Sequence, residues 1–169
     1  MMKWIGALLI IGGCGMFGFS MAANHKREEK ALMSLLSALD YMQCELQYRL
    51  TPLPDLCRQA GEQNKTQIGQ VLLMLARELE CQLRPDVESG MEAVLKSDNF
   101  LPSRTRAAFE TLGASLGRFD LDGQIRGLEA VRSFCRTELE QLGANRDVRL
   151  RSYQTLGLCA GAAVAILLV

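Results

Sequence analysis

The sequence is poor in the residues that build metal, redox and hydrolytic sites. His25 is its single histidine, and none of its six cysteines stands in a Cys-x-x-Cys pair. Zinc and iron–sulfur sites need closely spaced cysteines and histidines, and Ser/His or Cys/His catalysis needs a histidine beside the nucleophile. The phosphate-binding motif Gly-x-x-x-x-Gly-Lys-Ser/Thr is absent as well. We therefore expect no metal, no cofactor and no enzymatic activity.

The scarcity of aromatic residues, prolines and net charge limits the fold class and the partners. Aromatic residues make up 6% of the 169 residues and prolines number 4, whereas Leu, Ala, Glu, Gln and Arg are abundant. This composition favours helices over strands. The 19 Lys and Arg residues balance 19 Asp and Glu residues, so nucleic acid is not an expected partner. The length suits one domain plus membrane anchors.

The last stretch of the chain, residues 156–169, carries no charged side chain. As a helix it would rise roughly 21 Å at about 1.5 Å per residue, and residues 153–155 bring it closer to the ~30 Å hydrocarbon core. We expect a transmembrane helix at 153–169. Small residues at Gly157, Gly161 and Ala165 form a stripe on which another transmembrane helix could pack.

A second uncharged apolar run, residues 4–23, has the length of one membrane crossing. Three full positive charges follow it within residues 25–30, whereas only Lys3 and the amino terminus precede it. The positive-inside rule then places the middle domain, residues 24–152, in the cytoplasm. The second anchor agrees, because three arginines lie just before it: Arg146, Arg149 and Arg151.

Two other interpretations of the amino-terminal run stay open. Residues 20–22, Ser-Met-Ala, are compatible with a cleaved signal peptide, and residues 11–14, Ile-Gly-Gly-Cys, resemble a bacterial lipoprotein cleavage site. Either would make the chain an extracytoplasmic helical binding protein. Mass spectrometry of the mature amino terminus distinguishes these alternatives from an uncleaved anchor.

Apolar residues at spacings of three and four predict an all-α middle domain, an antiparallel bundle of about six helices. The first helix continues from the first anchor to about residue 50, and four more cover about 52–63, 66–84, 86–96 and 101–116. The sixth starts at Asp120 and continues into the last anchor, with a weak point at Gly143. The pattern predicts these buried residues among others: Cys44, Leu53, Leu56, Cys57, Cys81, Leu83, Phe109, Leu121, Leu128 and Cys135.

Two clusters of residues are candidates for partner docking or for packing within the domain. Gly113 in a helix costs about 1 kcal/mol relative to alanine, so we expect another backbone close to it, either the Pro52 corner or helix six. The first cluster comprises Glu45, Tyr48, Thr51, Pro52 and Leu53. The second comprises Leu112, Gly113, Leu116, Gly117, Asp120 and Gln124.

The same two clusters resemble motifs of the stage III sporulation protein AB family of endospore-forming bacteria. The motifs are Glu-x-x-Tyr-x-x-Thr-Pro-Leu, beginning at Glu45, and Leu-Gly-x-x-Leu-Gly-x-x-Asp-x-x-x-Gln, beginning at Leu112. Tyr153-Gln-x-Leu-Gly followed by an apolar tail is similar to the family's carboxy terminus. Met91 stands where the family has an aromatic-led stretch near helix four.

This resemblance implies a non-enzymatic component of the channel complex between mother cell and forespore. The family's central domain is similar to the cytoplasmic domain of the platform protein of type II secretion and type IV pilus machines. The implied partners are a cytoplasmic secretion-type ATPase such as stage III sporulation protein AA, other channel membrane proteins, the lipid bilayer and further copies of the chain. The implied location is the cell membrane on the mother-cell side, in the outer forespore membrane, with the central domain in the cytoplasm.

Protease protection on membrane vesicles tests the predicted topology. Because the charges flanking both apolar runs place residues 24–152 in the cytoplasm, we expect protease to digest them in inverted vesicles and to spare them in right-side-out vesicles. The reverse pattern would contradict the cytoplasmic assignment.

Overall fold

The described part of the chain consists of helices joined by short connections. The computed structural model describes the backbone of residues 2–98, 100–116 and 120–168, and the side chains of residues 24–98, 100–116 and 120–144. Within these ranges there are six helices and no strand, as the composition predicts. The helices are α1 (Met2–Arg49), α2 (Leu53–Gln63), α3 (Gln67–Glu80), α4 (Val87–Ser97), α5 (Ser103–Ser115) and α6 (Leu121–Leu168).

Successive helices run up and down, as predicted for an antiparallel bundle. The Tyr41 hydroxyl of α1 donates to Gln59 of α2 at 2.9 Å, while Ser34, further back on α1, bonds to Asn64 beyond the end of α2 at 2.9 Å. The paired residues run in opposite directions along the two helices. Helices α1 and α6 are also antiparallel. Nε of Arg132 lies 2.7 Å from Oδ1 of Asp40, and the earlier Glu129 accepts from the later Gln43.

The alternation gives the bundle two ends. The basal end comprises residues 24–30 of α1, where the described side chains begin, together with residues 64–66, 98 and 100–102 of two connections. The distal end comprises residues 48–52, the connection 81–86 and the start of α6 at 120–122. The helices α1 and α6 are unbroken within their bounds, and the helix continues through Gly143.

The chain divides into two units, Met1–Cys135 and Arg136–Val169, of which the second is the later part of α6 alone. Among the residues whose side chains are described, no helix is both long and apolar enough to cross a bilayer. The two predicted anchors, 1–23 and 153–169, lie outside these residues, so they stay predictions.

A core of aliphatic side chains around Phe109 holds the first unit together. Burying each large apolar side chain contributes roughly 1.5–3 kcal/mol, and the predicted stripes supply most of them. The fully buried large side chains include Leu32, Leu35, Leu39 and Met42 of α1, Leu56 of α2, Leu72 and Leu75 of α3, Met91 of α4 and Leu112 of α5.

Several predicted core positions are on the surface. Helix α3 ends at Glu80 rather than near residue 84, because the chain turns at Gln82, whose φ is 48°. Leu83 therefore falls in the connection and is 67% exposed. Leu121 in the first turn of α6 is 38% exposed. The prediction of burial was wrong for these two leucines.

The cysteines divide into two exposed and two buried thiols. Cys57 and Cys135 are buried, whereas Cys44 and Cys81 are exposed, so the prediction was correct for only half of them. Cys44 lies two residues after the buried Met42, which places it about 200° around α1, and Cys81 lies just beyond the end of α3. Burial raises the pKa of the Cys57 thiol to about 12, so it stays protonated at physiological pH.

The helices α2 and α3 and their connection are in close backbone contact. A Cβ atom built on Gly69 would lie 1.7 Å from the carbonyl oxygen of Asn64 and 2.6 Å from that of Gly61. Only glycine allows this approach. The Asn64 side chain ties the same connection to α1, since its amide donates to the Ser34 carbonyl at 3.0 Å.

The variant Gly69→Ala tests this contact. Its methyl group would collide with backbone atoms, so we expect a loss of about 1–3 kcal/mol, as for other overpacked sites. Gly143→Ala is the matched control, because a Cβ there meets nothing within 4 Å and alanine favours a helix by up to about 1 kcal/mol. Thermal unfolding of the full chain in detergent, followed by circular dichroism, measures both. An unfolding midpoint of Gly69→Ala at or above that of the parent chain would contradict the prediction.

Candidate docking surface

The corner between α1 and α2 is held by a buried carboxylate. Glu45 is 9% exposed. Its Oε2 accepts a hydrogen bond from the Thr51 hydroxyl at 3.1 Å, and its Oε1 lies 3.3 Å from Nη1 of Arg49. Pro52 follows as the residue before α2, and its carbonyl accepts the first bond of that helix from Leu56 at 2.9 Å. One side chain thus links the end of α1 to the start of α2.

The corner requires an unfavourable backbone conformation at Leu50. Its φ is 53°, in the left-handed region that a leucine rarely adopts. Such a residue costs of order 1–3 kcal/mol and persists where its surroundings determine the conformation. A hydrogen bond to a charged group stabilises by about 1.5–3 kcal/mol, so the bond between Thr51 and Glu45 is large enough to offset this cost.

The same corner exposes two large apolar side chains. Tyr48 is 81% exposed and Leu50 is 65% exposed. In the first cluster Glu45 and Thr51 therefore hold the backbone, Pro52 precedes α2, Leu53 begins it, and Tyr48 reaches into solvent. Leu50 belongs to neither predicted cluster, since a positive φ at a leucine has no signature in the sequence.

Most described residues of the second cluster pack inside the bundle. Leu112 is fully buried and Leu116 is 1% exposed. A Cβ on Gly113 would lie 2.7 Å from the Cβ of Met91 and 3.7 Å from the Cα of Glu88. The close neighbour of Gly113 is thus α4, so the prediction of the Pro52 corner or helix six was wrong. The error arose because spacing along a helix does not tell which neighbouring helix faces a glycine.

Helix six has its own close approach at a different glycine. A Cβ on Gly127 would lie 2.6 Å from the Cβ of Ser115 on α5, a contact that was not predicted from the sequence. Asp120 caps the helix, as predicted, because its Oδ1 accepts from the Gly123 amide at 3.0 Å. The backbone amide of Gln124 donates to the backbone carbonyl of Asp120 at 2.9 Å. Gly117 lies outside the described residues.

Exposed apolar side chains recur across the distal end. Besides Tyr48 and Leu50, Leu83 and Leu121 are exposed there. Helices α1 and α6 run antiparallel, and Gln43 donates to Glu129 at 3.1 Å. Leu121 precedes Glu129 by eight residues, so it lies near the level of residue 51. Exposed apolar residues collected in one region commonly mark a site of protein association.

Exposed apolar side chains, and no cluster of metal ligands, characterise the described residues. Within residues 24–98, 100–116 and 120–144, no group of three His, Cys, Asp or Glu side chains is placed to hold a metal ion. The fold is an up-and-down helical bundle with a stiffened corner and exposed apolar side chains at one end, which places it in the class of all-α helical-bundle proteins. Its particular family follows from comparison with known proteins.

The chain belongs to the stage III sporulation protein AB family, whose model matches residues 3–169. A solved structure of stage III sporulation protein AB is similar in fold, with a TM-score of 0.61 and 17% sequence identity over 72% of this chain and 98% of that chain. Among curated proteins no sequence matches the chain. The resemblance inferred from the three motifs is confirmed.

The variant Thr51→Val tests the Glu45 corner. It removes the hydroxyl donor from a buried carboxylate, which costs about 1–3 kcal/mol. The backbone around Leu50 should therefore unfold locally more often. Trypsin should then cut after Arg49 roughly tenfold faster, since about 1.4 kcal/mol corresponds to a factor of ten. Thr51→Ser keeps the donor and should be cut at the parental rate. Equal cleavage of all three proteins would show that this bond does not hold the corner.

Proposed function

We propose that this chain is a non-enzymatic membrane platform component of the sporulation channel between mother cell and forespore. In this role it docks a cytoplasmic secretion-type ATPase, such as stage III sporulation protein AA, to membrane partners. Family membership supports a role in stage III of sporulation. The observation that carries the docking role is the exposed apolar side chains at the distal end, the end remote from the predicted first anchor.

The geometry of α1 supports this arrangement. The helix is continuous from the first apolar run to Arg49, and at about 1.5 Å per residue Tyr48 lies roughly 38 Å beyond residue 23 along the helix axis. Anchored by residues 4–23, α1 would hold Tyr48 and Leu50 well clear of the headgroups. A soluble ATPase could reach them there without meeting lipid.

The side chains at the corner suit a protein partner. Tyrosine is enriched among residues that dominate binding energies, because its ring provides a large contact area with few rotatable bonds. The backbone beneath Tyr48 and Leu50 is fixed by the Glu45 bonds, so binding would order little of the chain. In this proposal Tyr48 and Leu50 are the central contacts, and the exposed Arg49 forms part of the polar rim.

The remaining partners are also part of the proposal. Residues 153–169 would anchor the chain beside other channel membrane proteins, with the stripe of Gly157, Gly161 and Ala165 available for close helix packing or self-association. The bundle would lie on the cytoplasmic face of the membrane on the mother-cell side, as the flanking charges favour.

Co-purification with the ATPase tests the docking surface. We expect Tyr48→Ala and Leu50→Asn each to reduce recovery of the ATPase by roughly tenfold, which corresponds to about 1.4 kcal/mol, because a few residues at the centre of an interface carry most of its binding energy. Asparagine tolerates the left-handed conformation of Leu50, so Leu50→Asn removes the apolar side chain without straining the corner.

The matched control is Met74→Ala, which removes a 43% exposed apolar side chain from the middle of α3. Full-length variants are purified in detergent, and circular dichroism shows that their helix content is unchanged. Parental recovery of the ATPase by both corner variants would refute docking at this surface. Parental recovery after deletion of the whole bundle would refute the platform model.

A further inference from the structure

The basal end holds a fixed network of hydrogen bonds around one exposed aromatic residue. Arg27 of α1 donates to the Phe100 carbonyl at 2.8 Å and to Gln67 at 3.4 Å. Gln67 in turn donates to the Asp98 carboxylate at 2.9 Å, and Arg106 donates to the carbonyl of Leu95 at 2.7 Å. The network joins α1, α3, α4 and α5 at this end.

Phe100 is held by its backbone while its ring points away from the core. Its amide donates to Asp98 at 2.8 Å, and its carbonyl accepts from Arg27. The residue is nevertheless 75% exposed, whereas the neighbouring Leu101 is 7% exposed. The connection therefore buries Leu101 and holds the ring of Phe100 in a fixed, exposed position. The ring is available for contact with a partner outside the bundle.

The charges around Phe100 favour an anionic surface. Two of the acidic residues here already have partners. Glu28 pairs with Arg104 at 3.5 Å, and Asp98 accepts from Gln67 and from the Phe100 amide. Among the described residues no ion pair engages Lys26, Lys30 or Lys65, and all three are exposed. Within the basal end the cations are Lys26, Arg27, Lys30 and Lys65, against the carboxylates Glu28, Glu29 and Asp98.

The position along α1 identifies the surface. Arg27 follows residue 23, the end of the first apolar run, by four residues, which is about 6 Å of helix. Phe100 is bonded directly to Arg27. Aromatic side chains concentrate at the boundary between water and lipid, and Lys and Arg next to a membrane are attracted to anionic headgroups.

We propose that the basal end rests on the anionic bilayer surface, with the Phe100 ring in the headgroup layer and Lys26, Lys30 and Lys65 beside lipid phosphates. This inference rests on the proposed function, since it needs residues 4–23 to be a membrane anchor. It adds a second attachment to the first anchor. A helix alone is free to tilt, whereas a helix with a lateral contact holds the bundle at one angle to the membrane.

Tryptophan fluorescence in vesicles tests this contact on the full chain. The single tryptophan is replaced by Trp4→Phe, and one reporter is then introduced at a time. Phe100→Trp reports on the basal end, and Tyr48→Trp reports on the distal end as a matched exposed aromatic position. Each protein is reconstituted in phosphatidylglycerol or in phosphatidylcholine vesicles that contain brominated lipid, which quenches tryptophan on contact. Flotation with the vesicles measures insertion separately.

We expect Phe100→Trp in phosphatidylglycerol to be quenched at least about twofold more strongly than Tyr48→Trp. The quenching should fall in phosphatidylcholine, and it should fall in phosphatidylglycerol when Lys26, Lys30 and Lys65 are changed together to glutamine, because the attraction is electrostatic.

Three results would overturn the inference. Equal quenching of the two reporters in floating protein refutes the basal contact and leaves the anchor intact. Equal quenching of Phe100→Trp in both lipids refutes the anionic surface. Protein that does not float with the vesicles refutes the anchor of the proposed function and this contact with it.

Discussion

Burial of one apolar stripe along α1 is the interaction on which the rest of the structure depends. Leu32, Leu35, Leu39 and Met42 are fully buried, and α2, α3 and α5 pack against this helix. The helices α2 to α5 have 11–14 residues, a length at which an isolated helix is marginal in water. Each of them is therefore stable only when packed. Because α1 is also the helix that leads from the first apolar run, its direction sets where the bundle presents its two ends.

The two ends differ in chemistry, and the difference follows from how the connections are held. At the distal end a buried carboxylate secures a strained corner, so Tyr48 and Leu50 stay exposed on a stiff backbone. At the basal end Arg27 joins the connection that carries Phe100 to α1, and exposed lysines surround it. In the proposed arrangement the distal end meets a protein and the basal end meets lipid.

The fold was predictable because its helices follow a simple repeat with clear stop signals. Apolar residues at spacings of three and four located all six helices, and proline or a capping residue located most of the boundaries. The end of α3 was missed because Cys81-Gln82 turns without a glycine or proline. The candidate site was predictable only as a set of residues. The motif starting at Glu45 was found, yet its division into a buried support and an exposed face depends on contacts between residues six positions apart.

The sequence by itself determined the all-α class, the approximate helices, the two uncharged apolar ends and the family, since these depend on local periodicity, composition and ordered motifs. Only the tertiary structure decided that Gly113 faces Met91, that Gly69 approaches Asn64 and that Leu50 adopts a left-handed conformation. It also decided that Phe100 is exposed beside Arg27. The physical reason is that helical periodicity specifies which side of a helix is apolar. The neighbour that covers it, and the strain that a connection must absorb, are set by the simultaneous packing of several helices.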